Sequence, residues 1–99
     1  LGLDRYPELA SLAINRSEML IRASRFQDAV TALAALDTSH PGALSDYGKM
    51  WVWANRACAL RGLGRGPEAK PDEDRVAAKA AENWSAATFA AACRGDTDG

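Results

Sequence analysis

The sequence predicts an all-α fold: antiparallel helical hairpins stacked as a short α-solenoid, with four main helices in one domain. Three observations carry that reading. An Asn-Arg pair occurs at Asn15-Arg16 and again at Asn55-Arg56, and at the same offset of forty Leu20 matches Leu60, Arg25 matches Arg65 and Ala29 matches Ala69. Self-similarity of this length marks stacked helical hairpins. Alanine supplies about a fifth of the 99 residues while Val, Ile and Thr are few, and alanine loses no side-chain entropy in a helix whereas β-branched residues do. Finally, apolar residues recur at helical spacing on two faces of the first and third helices, as expected of helices contacted from two sides.

The first helix is predicted over about Tyr6 to Ala23. Asp4 or Tyr6 caps it, Pro7 is tolerated in the first turn, and Glu8 suits the positive end of the dipole. Leu9, Leu12, Ala13, Leu20 and Ala23 form one stripe, Ile14 and Ile21 another. The second helix is predicted from Phe26 to Leu36 on the spacing of Phe26, Ala29, Val30, Leu33 and Leu36; the short break at Ser24-Arg25 makes the two antiparallel neighbours. This first hairpin occupies about residues 6–38. Asp37-Thr-Ser-His-Pro-Gly42 is a turn, since Pro41 stops a helix and Gly42 relaxes the backbone.

The second hairpin covers about residues 43–93. Its first helix, about Ala43 to Leu63, carries Tyr47, Trp51, Ala54 and Cys58 on one stripe and Met50, Trp53, Ala57 and Leu60 on the other. The Gly/Pro-rich connection 62–71 follows, with Gly62, Gly64, Gly66, Pro67 and Pro71. The fourth helix is predicted over about Asp72 to Ala92. Asp72-Glu73-Asp74 favours the N-terminal dipole, and Val76, Ala80, Trp84, Ala87 and Ala91 line its buried side. Asp96-Thr-Asp-Gly99 reads as frayed tail.

Composition narrows the function classes. With 12 Lys+Arg against 13 Asp+Glu, the net charge of -1 supplies no concentrated basic surface, which argues against nucleic acid. No apolar run approaches the roughly 20 residues of a membrane span, and no signal peptide is visible. Cys58 and Cys93 lie far apart without CxxC spacing and read as reduced, small hydrophobes of a cytoplasmic protein. His40, the one histidine, precedes Pro41 in a turn; catalysis or metal binding needs several convergent partners. The glycines at 62, 64 and 66 close a helix instead of following a strand, so they are no phosphate loop. The acidic run 72–74 lacks the glycine spacing of a calcium loop. No enzyme activity, cofactor or metal is therefore expected.

The first hairpin resembles a tetratricopeptide repeat, whose pattern is W-x2-L-G-x2-Y, then A-x3-F, then P. The corresponding positions read Ala13-x2-Arg16-Ser17-x2-Leu20, then Ala29-x3-Leu33, then Pro41. The second reads Trp53-x2-Arg56-Ala57-x2-Leu60, then Gly64-Arg65 and Ala69. Arg16 and Arg56 depart from the pattern's leucine, Leu20 and Leu60 from its tyrosine, and Pro71 falls where a second helix belongs, which is why that helix is expected to start late.

The resemblance implies a concave groove lined by the first helix of each hairpin, taking up a peptide or a partner helix. Its lining is expected to be Ser11, Ile14, Asn15, Glu18, Ile21 and Arg22, then Trp51, Ala54, Asn55, Cys58 and Arg61. Among these, Asn15, Glu18, Arg22, Trp51, Asn55 and Arg61 are the candidate peptide-binding residues. Amides that bond a backbone and guanidinium groups that bond a carboxylate would suit an extended acidic or C-terminal segment. The expected function is a protein- or peptide-binding adaptor; the alternative is a helical regulatory or accessory domain of a larger protein or enzyme complex. Two hairpins leave apolar ends to cover. The long fourth helix can cap the stack, two chains can pair as a homodimer through Trp84 and Phe89, or the chain, which starts at Leu1, is a segment of a longer protein.

Overall fold

The computed structural model describes the backbone of residues 2–34 and 46–94, and the side chains of residues 12–34 and 48–94. Within these residues the chain is helical without strands: α1 (Gly2–Arg22), α2 (Phe26–Ala34), α3 (Asp46–Gly62), α4 (Gly66–Ala78), a 3-10 turn (Ala80–Glu82) and α5 (Trp84–Arg94). The predicted turn with His40 and Pro41, the acidic tail and the side chains of Ser11 and Tyr47 lie outside the described residues.

The two hairpin turns are built alike. In the first, Arg25 N–H donates to the Leu20 carbonyl (2.8 Å) and Ser24 N–H to that of Ile21 (2.9 Å). Forty residues on, Arg65 N–H donates to Leu60 (2.8 Å) and Gly64 N–H to Arg61 (3.0 Å). Both are the paired bonds of a Schellman end, which needs a left-handed residue after the helix. Ser24 at φ 62° and Gly64 at φ 78° supply it. The next helix then starts the same way in each, with Arg25 bonded to Asp28 and Arg65 to Glu68 across one turn. Glu68, on the exposed surface, is held below the usual carboxylate range chiefly by its hydrogen bond from Arg65.

α3 is the hub. Its two apolar faces let it pack against all four other helices. One core cluster joins Met50 and Ala54 of α3 to Val76 of α4 and Ala86 and Ala90 of α5. A second joins Ile21 and Ala29 of the first hairpin to Cys58 and Ala59, and a third joins Ala57, Leu60 and Ala69. Gly62 is required by close approach: a Cβ there would lie 2.5 Å from the Phe26 ring.

Three expectations are corrected. The fourth helix does not wait for Asp72. It starts at Gly66, with Pro67 in the first turn and Pro71 inside the helix on an exposed face, so only one backbone hydrogen bond is lost. Nor is it continuous to Ala92. It ends at Ala78, and buried Asn83 accepts a hydrogen bond from Ala86 N–H (3.0 Å), capping a separate helix. That break resets the helical phase. The inner face of α5 is Ala86 and Ala90, and Trp84, expected inside, is 67% exposed.

The cysteines are the third correction. Cys58 and Cys93 are not reduced but joined as a disulfide, with Cα atoms 5.2 Å apart and a sequence separation of 35. Sequence spacing gave no sign of it because α5 reaches α3 only in the fold. Closing a loop of that length restricts the unfolded chain by about 4 kcal/mol on the loop-entropy account. Such bonds belong to oxidising surroundings, so the cytoplasmic expectation loses the ground on which it rested.

Candidate functional site: an aromatic cleft between α3 and α5

The helical break that exposes Trp84 also builds the most distinctive surface of the molecule. With Asn83, Ala86 and Ala90 turned inward, α5 presents Trp84, Ser85, Thr88 and Ala92 outward and Phe89 at the edge. Phe89 meets Trp51 of α3 with ring centroids 6.2 Å apart and planes tilted by 54°. Offset, tilted rings are the favoured arrangement for an aromatic pair. Together these side chains line an open cleft of Trp51, Trp84, Ser85, Thr88, Phe89 and Ala92. Its lining carries no charged side chain; its polar side-chain groups are the two hydroxyls and the indole N–H donors.

The charges are spent elsewhere, on joining α3 to α4. Arg56 grips Asp72 through two bonds, Nε to Oδ2 at 2.7 Å and Nη2 to Oδ1 at 2.8 Å. Arg61 grips Glu73 in the same way, at 2.7 and 2.9 Å. Asp72 also accepts from Arg75 at 2.7 Å, and the Arg75 guanidinium lies 6.0 Å from the centre of the Trp53 ring. The two carboxylates are almost fully buried, their side chains 4% and 1% exposed. Hydrogen bonding to Asp72 raises the Arg56 pKa above its ordinary value, against the opposing effect of burial. Bidentate arginine–carboxylate pairs are among the stronger protein hydrogen bonds. Two residues of the acidic run predicted to begin a helix, Asp72 and Glu73, thus form an interior clasp, while Asp74 pairs with Lys70 on the surface at 2.7 Å.

This placement disperses the predicted peptide-binding residues. Asn15 is exposed, Glu18 and Arg22 bond each other at 3.2 Å on the surface of α1, and Arg61 is held by Glu73. Asn55 is fully buried, with neither side-chain polar atom hydrogen-bonded, and it lines no groove. Ile21, Ala54 and Cys58, also expected in the groove, are buried in the core. Trp51 alone of the six candidates lies in the cleft. Trp84 and Phe89 were expected as a surface for pairing two chains, but not as a cleft with Trp51, because a continuous fourth helix also placed Trp84 on its buried side. The available signal was Asn83, a good cap residue standing directly before Trp84-Ser-Ala-Ala.

A second open surface runs along α1, where Leu12 and Met19 are 65% and 70% exposed beside Arg16, Leu20, Ala23 and Arg25. The repeat shows how unusual that is. Val52 and Ala59, forty residues on, are fully buried, and Arg56 has Asp72 where the corresponding position beside Arg16 is Ala32. Among the described residues no group of three or more His, Cys, Asp or Glu side chains is arranged to hold a metal ion, and no helix is long and apolar enough to cross a membrane. Comparison with protein-family models, curated proteins and solved structures finds no match to this chain.

Proposed function

We propose that this chain is a non-enzymatic protein- or peptide-binding module of tetratricopeptide-like build, and that it takes its partner in the cleft of Trp51, Trp84 and Phe89. The exposed Trp84 indole is the observation that supports this reading best. A large exposed aromatic on a helix, beside a second tryptophan and two hydroxyls, is the composition of an interface anchor. The repeated hairpin turns support the short-solenoid build, in which α1, α3 and α5 are the first helices of successive units. Partner charge is not what the cleft selects, because its lining is neutral; the acidic C-terminal segment expected from the arginines gives way to an apolar or aromatic side chain flanked by backbone carbonyls.

The test is selection of peptide binders from a displayed random library against the wild-type chain, followed by titration of the winners on Trp84→Ala and Phe89→Ala. Loss of at least tenfold in affinity for Trp84→Ala, with unchanged helical content, is the expected result. Binders indifferent to both substitutions would sink the cleft as the site. A concentration-dependent dimer that disappears in Trp84→Ala would instead make a second copy of this chain the occupant. The alternative reading, a helical accessory domain of a larger assembly, is favoured by one feature: the exposed Leu12 and Met19 on α1 suit a surface covered by another protein element.

A further inference from the structure

α5 is held to the rest of the molecule in an uneven way. Its fully or nearly fully buried apolar side chains are the two methyl groups of Ala86 and Ala90. Phe89 is half-buried against Trp51. Before it the chain leaves helical geometry: α4 ends at Ala78, a single 3-10 turn follows, and the Asn83 cap belongs to α5 itself. A short, alanine-faced helix after such a break has little of its own to keep it docked. Its far end is tied by the Cys58–Cys93 bond, from the middle of α3 to the last turn of α5.

Ala86 and Ala90 cover Met50, Ala54 and Val76, and Phe89 and Cys93 flank the cluster of Ile21, Ala29, Cys58 and Ala59; the other contacts do not involve that helix. The core of Ala57, Leu60 and Ala69, the Arg56–Asp72 and Arg61–Glu73 clasps and the first hairpin turn contain no residue of α5. Yet α5 supplies Trp84, Ser85, Thr88, Phe89 and Ala92 to the cleft, leaving Trp51 as the contribution of α3. One covalent bond therefore separates an intact site from an incomplete one.

We infer that the Cys58–Cys93 disulfide is a redox gate: oxidised, it fixes α5 and completes the aromatic cleft, and reduced, it releases α5 while α1 to α4 stay folded. Cys93 is half-buried and Cys58 is 7% exposed, so a thiolate attacks at the Cys93 sulfur. The S–S bond breaks and a mixed disulfide forms there, with Cys58 leaving as thiolate and taking a proton. The reductant's second thiol then displaces Cys93, which leaves as thiolate and is protonated in turn. The cysteine pair thus gains two electrons and two protons, and a dithiol reductant becomes a disulfide. That the gate governs binding rests on the reading of the cleft as the binding site; the release of α5 does not.

The experiment is amide hydrogen exchange on the full chain, oxidised and after treatment with dithiothreitol, with Cys58→Ser/Cys93→Ser as the permanently open form and no ligand present. Residues 84–94 are expected to exchange at least tenfold faster in both open forms, while residues 46–62 and 66–78 change less than twofold. Unchanged protection of α5 would overturn the gate, leaving the bond a local brace. Acceleration of all helices together would overturn it too, because the bond would then be a global staple. The binding reading is tested separately, on the oxidised protein through Trp84→Ala, so either can fail alone.

Discussion

Glu73 shows what a single buried charge demands. Its side chain is 1% exposed, deep enough that leaving the carboxylate unpaired would carry a large desolvation cost. Arg61, a third exposed, meets it with two parallel bonds while its stem crosses the surface. Removing one partner of such a pair is far worse than never having had it, by about 3 kcal/mol or more. Arg61→Ala is therefore expected to lower the free energy of urea unfolding by about 3 kcal/mol, and Arg61→Lys to recover only part, since an ammonium cannot match both oxygens. A loss below about 1 kcal/mol for Arg61→Ala would mean that water already serves the carboxylate. Asn55 is the opposite case, a buried amide with nothing bonded to it. Such a group costs about 1–3 kcal/mol, so Asn55→Leu, of similar size, is expected to raise the melting temperature; a fall would reveal a partner for the amide. Neither setting was visible in the sequence. Arg61 and Asn55 sit on helix positions that look groove-facing by periodicity; Glu73, twelve residues from Arg61, becomes its neighbour only when α4 folds back on α3, and Asn55 is covered only once the helices pack.

The first hairpin turn was more legible than the helix boundaries that follow it, and the difference is physical. A Schellman end is decided by the few residues that make it, so the break at Ser24-Arg25 stood out locally, whereas its repeat at Gly64-Arg65 was absorbed into a longer Gly/Pro-rich connection, 62–71. The boundary between α4 and α5 depends on whether Asn83 caps better than it continues, and the outcome places Ala86 and Ala90 against Met50 and Ala54 of α3. Pro71 misled for a related reason: a proline inside a helix gives up one backbone bond and crowds the preceding turn, a local cost that the sequence shows, whereas the two clasps of Asp72 and Glu73 beside it form only in the fold. The repeated turns also predict opposite outcomes at equivalent positions. Ser24 occupies the left-handed region at a steric cost that glycine avoids, whereas Gly64 already avoids it. Ser24→Gly is expected to stabilise the chain by about 0.5 kcal/mol, the steric gain being partly offset by unfolded-state entropy. Gly64→Ala is expected to destabilise it by about 1 kcal/mol. Thermal unfolding of the two variants side by side checks this. Shifts of the same sign would show that the turns are alike in hydrogen bonding but not in strain.

At the scale of the whole molecule, stability is expected to be graded along the stack, because among the described residues every core cluster includes α3 and none is centred on α1. The body measures 46 × 29 × 19 Å, too elongated for all helices to share one interior. α3 touches four helices and α4 is clasped to it by two buried ion pairs, whereas α1 leaves Leu12 and Met19 in water on its outer side. The all-α class was readable because alanine content and helical periodicity are properties of each segment alone. The hub was readable only in outline, as two apolar faces on one helix, since which neighbour takes which face is a question of packing order. In a structure built this way, opening free energies follow the density of buried contacts. In the oxidised protein, amides of α3 are expected to exchange slowest, at the rate of global unfolding. Those of residues 12–22 of α1 are expected to exchange at least a hundredfold faster through local release of the outer helix. Exchange of α1 at the same rate as α3 would show a single cooperative unit, in which the exposed Leu12–Met19 face costs the first hairpin nothing. A gradient that disappears when Leu12 and Met19 are both replaced by Gln would show that the apolar face itself weakens α1, and hence that covering it is how this end of the stack is meant to be completed.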